Sequence, residues 1–399
     1  MDMFKKTVQA SRWSLALCSV LQASFLCAQA IEDDVGLSYG MDAELRYDDN
    51  IFRSEAREVD STILQASPFV KATLYNNGNT YQATYRLNYA EYFDSSEDSY
   101  DDHEFALNLN HRFASKHALA ASVKHSLLTE QRGSGFSEEP NILVDDPDSF
   151  DVTVYDLTYF LGAPSADMRF EVSANRNEYD FDSSYVGDSR DYKANQFGAL
   201  MRYRIGARTD LLLEYRNLDV SYDNIPRDFN GQPLSLDSNE DYYLAGVAWE
   251  MTAKTKGEAR IGHSSRDYDD NDFSSSDLHW EVEVSWRPKT YSEVLLNTGR
   301  ASLETYGSGL FINSQKHTLS WTHAWNSRLS SRLEAGITQD DYEESVRSDD
   351  QSHFQIGLSY ELFNGLRLGT GYKYHENDSN FAVVDYEQNV FYVNTSIEL

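Results

Sequence analysis

From about residue 36 to the C-terminus, apolar and polar residues alternate with a period of two. The clearest stretch is Leu278-His279-Trp280-Glu281-Val282-Glu283-Val284-Ser285-Trp286, apolar at every even position and polar at every odd one. A helix cannot build one apolar face from that spacing, whereas a strand sends the two sets to opposite sides. Leu37, Tyr39, Met41, Ala43, Leu45 and Tyr47 follow the same rule, as do Phe354, Ile356, Leu358, Tyr360 and Leu362. The alternation predicts eighteen strands, near 36–47, 62–75, 80–93, 103–113, 117–129, 151–162, 167–179, 191–205, 209–222, 239–251, 255–268, 276–287, 290–304, 313–325, 328–341, 351–362, 366–376 and 386–399. Most run to 11–15 residues. A tilted strand needs about 9–11 residues to cross a bilayer, so each is long enough.

The connections alternate in length. Short ones include Asn76-Asn77-Gly78-Asn79, Gly206-Ala207-Arg208 and Phe363-Asn364-Gly365. Long ones fall near 48–61, 94–102, 130–150, 180–190, 223–238, 269–275, 305–312, 342–350 and 377–385, and nearly all are rich in Asp, Ser or Asn. Outer-membrane barrels have this form, with short periplasmic turns, long outer loops and an even strand number. A soluble sandwich has shorter strands and irregular connections. Unpaired backbone amides in hydrocarbon cost several kcal/mol each, so a sheet crossing lipid must close on itself. The expected fold is therefore an all-β, antiparallel, up-and-down transmembrane barrel of about 18 strands. A secreted β-solenoid or propeller is the alternative.

A tyrosine followed by aspartate recurs where segments end: Tyr47-Asp48, Tyr179-Asp180, Tyr222-Asp223 and Tyr268-Asp269, with Phe93-Asp94 as a variant and Tyr342 and Tyr374 as altered forms. Aromatic residues collect where membrane strands leave the lipid. The expectation is that these rings mark the outer interface and fix the chain's orientation.

Composition agrees. Mean hydropathy is −0.59. After residue 30 no run of about 18 apolar residues exists, so no spanning helix is encoded. In a barrel only every second strand residue faces lipid, so a polar average is no obstacle. Lys5, Lys6 and Arg12 precede the mostly apolar Trp13 to Leu26, and Ala28-Gln29-Ala30 follows. This order is that of a secretory signal peptide over 1–30, leaving 31–399 as the barrel. A lipid anchor on Cys27 is the weaker reading, because Ser24-Phe25-Leu26 sets bulky residues where small ones are expected. Both cysteines, Cys18 and Cys27, lie in this peptide, which leaves the mature chain no disulfide and no thiolate chemistry. Removing the +2 of residues 1–30 takes the net charge from −31 to −33. That balance disfavours nucleic acid and anionic headgroups as partners.

No catalytic constellation stands out: there is no Gly-x-Ser-x-Gly, no His-Glu-x-x-His and no phosphate loop. Histidines such as His111, His263 and His353 stand singly, so no metal or cofactor is expected. Asp267 to Asp272 resembles part of a calcium loop but lacks its glycine and distal glutamate, and a solvated acidic loop is the plainer reading. The polar face carries the candidate pore-lining residues Arg46, Arg86, Arg112, Arg169, Arg202, Arg216, Arg260, Glu281, Glu283, Glu334, Arg367 and Lys373. One reading is a charged, wet lumen that guides a polar solute. The other is a set of Arg–carboxylate ladders satisfying each other across strands. Loops 130–150 and 223–238 are the longest and the candidates for a constriction.

Tyr47-Asp48-Asp49-Asn50-Ile51-Phe52-Arg53 follows the first strand, and Ser67-Pro68-Phe69-Val70 lies in the second. This opening resembles the putative β-barrel porin 2 family of outer-membrane proteins. The resemblance implies a barrel of this size, set in outer-membrane lipid and often associated with exopolysaccharide or capsule export, where it pairs with a periplasmic export protein. The first strand starts within about six residues of the expected cleavage site, which leaves no plug domain and argues against a TonB-gated transporter. Export of a hydrophilic polymer, diffusion of small hydrophilic solutes, and a structural or adhesive role stay open. The final strand runs to the last residue, with Leu399 where such barrels usually place an aromatic.

Overall fold

In a computed structural model, residues 34–135, 147–182, 190–225, 234–252, 254–269, 273–305 and 308–399 are described. The signal-peptide segment lies outside them, as do the last three residues of the calcium-like stretch and the middles of loops 130–150 and 223–238.

The chain forms one antiparallel sheet of eighteen strands. They are β1 (Asp34–Asp48), β2 (Ser61–Asn76), β3 (Asn79–Tyr92), β4 (Tyr100–Ala114), β5 (His117–Glu130) and β6 (Asp148–Leu161). Next come β7 (Met168–Asp182), β8 (Tyr192–Gly206), β9 (Thr209–Tyr222), β10 (Ser238–Thr252), β11 (Thr255–Tyr268) and β12 (Ser274–Lys289). The last six are β13 (Ser292–Glu304), β14 (Phe311–Ala324), β15 (Leu329–Tyr342), β16 (Ser348–Phe363), β17 (Leu366–Ser379) and β18 (Tyr386–Glu398). Each pairs with its neighbours in sequence, and β1 also pairs with β18 from Gly40↔Glu398 to Asp48↔Val390, closing the barrel. Every boundary read from alternation lies within three residues of the observed one.

The two faces separate as the alternation requires. Leu37, Leu45, Phe105, Leu157, Val172, Leu213, Ile261 and Leu358 point outward and are exposed, as a lipid-facing band must be. At the short-turn end Phe113, Tyr203, Trp286, Tyr291, Trp325 and Phe363 ring the outside, which is the aromatic belt of the periplasmic interface. Pro68, without an N–H, sits where the β2–β3 ladder is interrupted between Ala66↔Tyr89 and Phe69↔Arg86.

The strands are longer than the lipid requires. On β9 the outward residues are Leu211, Leu213 and Tyr215, then Asn217, Asp219 and Ser221. Tyr215 lies opposite Tyr243 of β10, with ring centroids 5.3 Å apart, and one step higher Asn217 Nδ2 donates to Asp241 at 2.9 Å. The apolar band therefore stops at the Tyr215–Tyr243 level, and the strands continue into water beyond it.

Candidate functional site in the barrel interior

All twelve sequence-predicted residues project to the inward side of their strands. Their surroundings differ by height and by wall. Arg112 and Arg367 are exposed at the short-turn end, Arg367 opposite Glu361. Arg86 binds Asp42 at 2.8 Å, and Arg46 donates to Gln65 at 2.7 Å with Glu44 at 3.4 Å. The Lys373 ammonium lies 4.9 Å from the centre of the Tyr392 ring. Glu334 accepts from Arg332 at 2.5 Å, with His353 at 3.7 Å. Glu283 lies diagonal to Lys256 across the β11–β12 pair. Arg169 is hydrogen-bonded to Asp210.

The remaining four, Arg202, Arg216, Arg260 and Glu281, belong to one lattice on the β7–β12 wall. Arg202 binds Glu171 at 2.5 Å and Glu258 at 3.0 Å. Arg260 reaches Glu214 at 3.1 Å, Glu281 at 3.0 Å and Glu258. Arg216 joins Glu214 and Glu281, both at 2.5 Å, and His279 Nε2 lies 3.1 Å from Glu281. Three guanidiniums thus meet four carboxylates. The Arg260 side chain is only 4% exposed, so it is packed among its partners rather than presented to open water. Gly246 of β10 makes room for it. A Cβ there would stand 3.0 Å from Arg260 Cγ and 2.3 Å from the Ala259 carbonyl oxygen. Glu171, Glu214, Glu258 and His279 are the members the sequence reading missed. All four obey the same alternation, and the signal that could have found them was their place on the polar face beside the arginines.

Above the lipid band the polarity inverts. On β6 the inward residues become Phe150, Val152 and Val154, and on β9 they become Leu218, Val220 and Tyr222. Phe150, Val152 and Phe181 form a small core with Leu128, Val154, Tyr179 and Tyr192 packed on it. Rings stack across strands from Phe150 to Phe181 (5.1 Å), Tyr179 to Tyr192 (4.5 Å) and Tyr192 to Tyr222 (5.3 Å), with Arg190 3.9 Å over Phe181. The ring faces are occupied by each other. This corrects the reading of the Tyr–Asp repeat as an interface mark. Tyr47 and Phe93 do face outward, as does Tyr374, but Tyr92, Tyr179, Tyr222, Tyr268 and Tyr342 turn inward and pack the rim of the mouth. On β9 and β10 the outward rings are mid-strand, at Tyr215 and Tyr243. The reason is length: past the lipid edge the outside is water, so apolar rings gain only by turning in.

A second departure lies at β13. The β11–β12 ladder continues up to Asp267↔Ser274 and the β13–β14 ladder to Glu304↔Phe311, but the β12–β13 ladder stops at Glu281↔Gly299. Above that point β13 leaves its neighbour. Arg300, Ser302 and Glu304, which alternation would turn outward, contact the inner wall instead. Arg300 donates to Asp277 at 2.8 Å and Ser302 to Glu240 at 2.9 Å. Glu304 accepts from Arg266 at 2.6 Å and from Tyr222 at 2.8 Å. In a regular barrel β10 and β13 lie three strand spacings apart, about 14 Å at roughly 4.8 Å each. A serine and a glutamate side chain cannot bridge that distance, so the upper β13–β14 hairpin lies folded against the interior of β9–β12. Phe311 and Leu310 of this hairpin pack with Leu236 and Tyr268, and Tyr268 donates to the Leu310 carbonyl at 3.2 Å.

These features define a class: a transmembrane β-barrel of the outer-membrane type, closed, even-stranded, apolar outside and charged within. More narrowly, a family model described as "Putative beta-barrel porin 2" matches residues 39–399, and the chain belongs to that family. No curated protein matches the sequence. Among solved structures, OccK2 (OpdF) of Pseudomonas aeruginosa superposes with a TM-score of 0.50 at 10% identity, over 92% of this chain and 98% of that one. Acinetobacter baumannii OccAB4 gives 0.49 at 12% identity, over 92% and 99%. The FrpB iron transporter of Neisseria meningitidis gives 0.46 at 10% identity over 85% of this chain, which spans only 62% of FrpB. At these identities the likeness is one of fold.

Proposed function

We propose that this protein is an outer-membrane channel for hydrophilic saccharides, serving as the passive outer-membrane conduit of exopolysaccharide or capsule export. The observation that carries the channel reading is the contrast between faces at one height. Within the lipid band, Leu213 and Ile261 point out while Glu214 and Arg260 point in. Buried ion pairs give a barrel little stability over apolar packing, and inward charges at this height suit an interior that serves a polar traveller. Family membership and the resemblance of the Tyr47–Arg53 opening support the export assignment and, with it, a periplasmic export protein as partner. The signal peptide over 1–30, the pore-lining role of the twelve residues and the barrel's extent over 31–399 belong to the same proposal.

One observation favours a second reading, a channel for small solutes. The folded β13–β14 hairpin and the inward aromatic rim lie on the inner side of the mouth, as suits solutes smaller than a polymer. Two measurements separate the readings. In planar bilayers the purified protein is expected to conduct, and conductance indistinguishable from the bare membrane overturns both. A deletion strain is expected to retain its matrix polysaccharide in the periplasm. Normal secretion by that strain, with conductance intact, overturns export and leaves the small-solute channel.

A further inference from the structure

The geometry points to the β13–β14 hairpin as the constriction of this channel, held in place by a two-point polar latch; the inference rests on the channel reading above. We infer that Arg300–Asp277 forms one point and Glu304–Arg266 the other, and that releasing them widens the path.

Three observations on different strands carry it. First, the wall opens between β12 and β13 above Glu281↔Gly299, so the hairpin is free of its neighbour on that side. Second, the hairpin stays in the β14–β15 ladder up to Ile312↔Tyr342, and on its other side a short series of polar contacts holds it inward. Arg300 spans the opening, donating to Asp277 at 2.8 Å and to the Leu278 carbonyl at 3.3 Å. Glu304 lies between Arg266 of β11 and Tyr222 of β9. Third, the hairpin carries an apolar end that the inner wall receives. Phe311 is 1% exposed, and the Arg266 guanidinium lies 5.1 Å from its ring centre, so one arginine holds both the carboxylate and the ring. Arg266 is itself 2% exposed. A charge buried in this way holds its partner firmly, because losing that partner leaves it uncompensated.

The placement differs from the constriction expected in loops 130–150 and 223–238. It arises from a strand pair that parts from β12 while staying paired to β15, and loop length gives no sign of it. Leu234 and Leu236, the described end of loop 223–238, pack against the same hairpin and add to its seat.

The test joins a proximity measurement to conductance. Cys18 and Cys27 are replaced by serine, and Arg300→Cys with Asp277→Cys is treated with a short bis-methanethiosulfonate reagent. The hairpin inside the barrel predicts an intrachain cross-link; a hairpin lying in the wall turns residue 300 outward, and absence of the cross-link overturns the inference. Glu304→Ala and Arg300→Ala/Glu304→Ala are then measured as single channels, with the heat-modifiable gel shift confirming a folded barrel. Conductance at least twofold above wild type and passage of larger polyethylene glycols are expected, and the swap Arg266→Glu/Glu304→Arg is expected to return both toward wild type. Folded variants that keep wild-type conductance and cut-off overturn the constriction while leaving the channel reading intact. Wild type and variants all silent overturn the two together.

Discussion

The carboxylate of Asp49 accepts two hydrogen bonds from Asn389, one from its backbone N–H at 2.7 Å and one from its side chain at 2.8 Å. These residues are 340 positions apart and meet across the seam that closes the barrel. Asp48 accepts from Gln388 Nε2 at 2.8 Å, and Asn50 Nδ2 donates to the Glu387 carbonyl at 2.9 Å. The Asp-Asp-Asn run that carries the family resemblance is thus a clasp between the first strand and the last. At the other end of the same seam the Tyr39 and Leu399 backbones exchange bonds of 3.1 and 2.9 Å.

Asp49→Ala leaves the Asn389 N–H and side-chain amide without their acceptor. An unsatisfied, partly buried donor costs about 1–3 kcal/mol. The variant is expected to lose its compact, heat-modifiable gel band at a lower temperature than wild type. Asp60→Ala serves as the control, because its contact with Tyr47 at 3.2 Å is exposed and lies off the seam. Equal melting of the two variants would show that the clasp does not hold the seam.

Much of this architecture was legible because one physical rule governs it. A strand with lipid on one side and charge on the other must alternate, so Leu278 to Trp286 announced its faces and ends. The twelve inward charges followed from the same parity. What parity could not give was height. Tyr215 and Tyr222 both read as strand tyrosines, yet one faces lipid and the other the mouth. Their opposite parity was visible, but nothing local said that the lipid ends near Tyr215 and that the sense of burial reverses above it. The folded hairpin was illegible for another reason. Ser302 and Glu304 are in phase with Leu296, and only the long-range break after Gly299 turns their face to the inner wall.

The lipid edge on β9 can be tested by charge. Leu213 is 53% exposed on the outward face within the band, and Asp219 stands three outward positions higher. An arginine on the lipid face near the bilayer midplane costs about 2–4 kcal/mol, falling toward zero at the interface. Leu213→Arg is therefore expected to lower the urea midpoint of unfolding from lipid vesicles, and Asp219→Arg to leave it unchanged. Equal midpoints would place the edge elsewhere.

The lattice makes a sharper demand on stability. Arg260 is shared by Glu214, Glu258 and Glu281, so Arg260→Ala leaves three carboxylates short of a partner. Breaking a buried ion pair from one side costs about 3–5 kcal/mol. A large fall in the unfolding midpoint is expected, and Gly246→Val is expected to shift it the same way by displacing the Arg260 stem. A Gly246→Val barrel as stable as wild type would mean that the guanidinium does not need that gap.

The same lattice sets the sign of the field that a passing ion meets. With Arg202, Arg216 and Arg260 in place, the four carboxylates Glu171, Glu214, Glu258 and Glu281 are nearly balanced. Arg216→Gln keeps a polar amide on a shorter side chain and removes one positive charge, leaving the wall more negative. In a conducting barrel this is expected to move the reversal potential in a KCl gradient toward that of a cation-selective pore. The shift is expected to shrink at high salt, where the screening length falls to about 3 Å at 1 M. Glu281→Gln should move the potential in the opposite direction, since it deletes a negative charge from the same contacts. Opposite shifts from the two substitutions identify the lattice as part of the conducting wall; an unchanged potential in both, with conductance retained, would place the ion path along the opposite wall, past Arg86, Asp42 and Glu334.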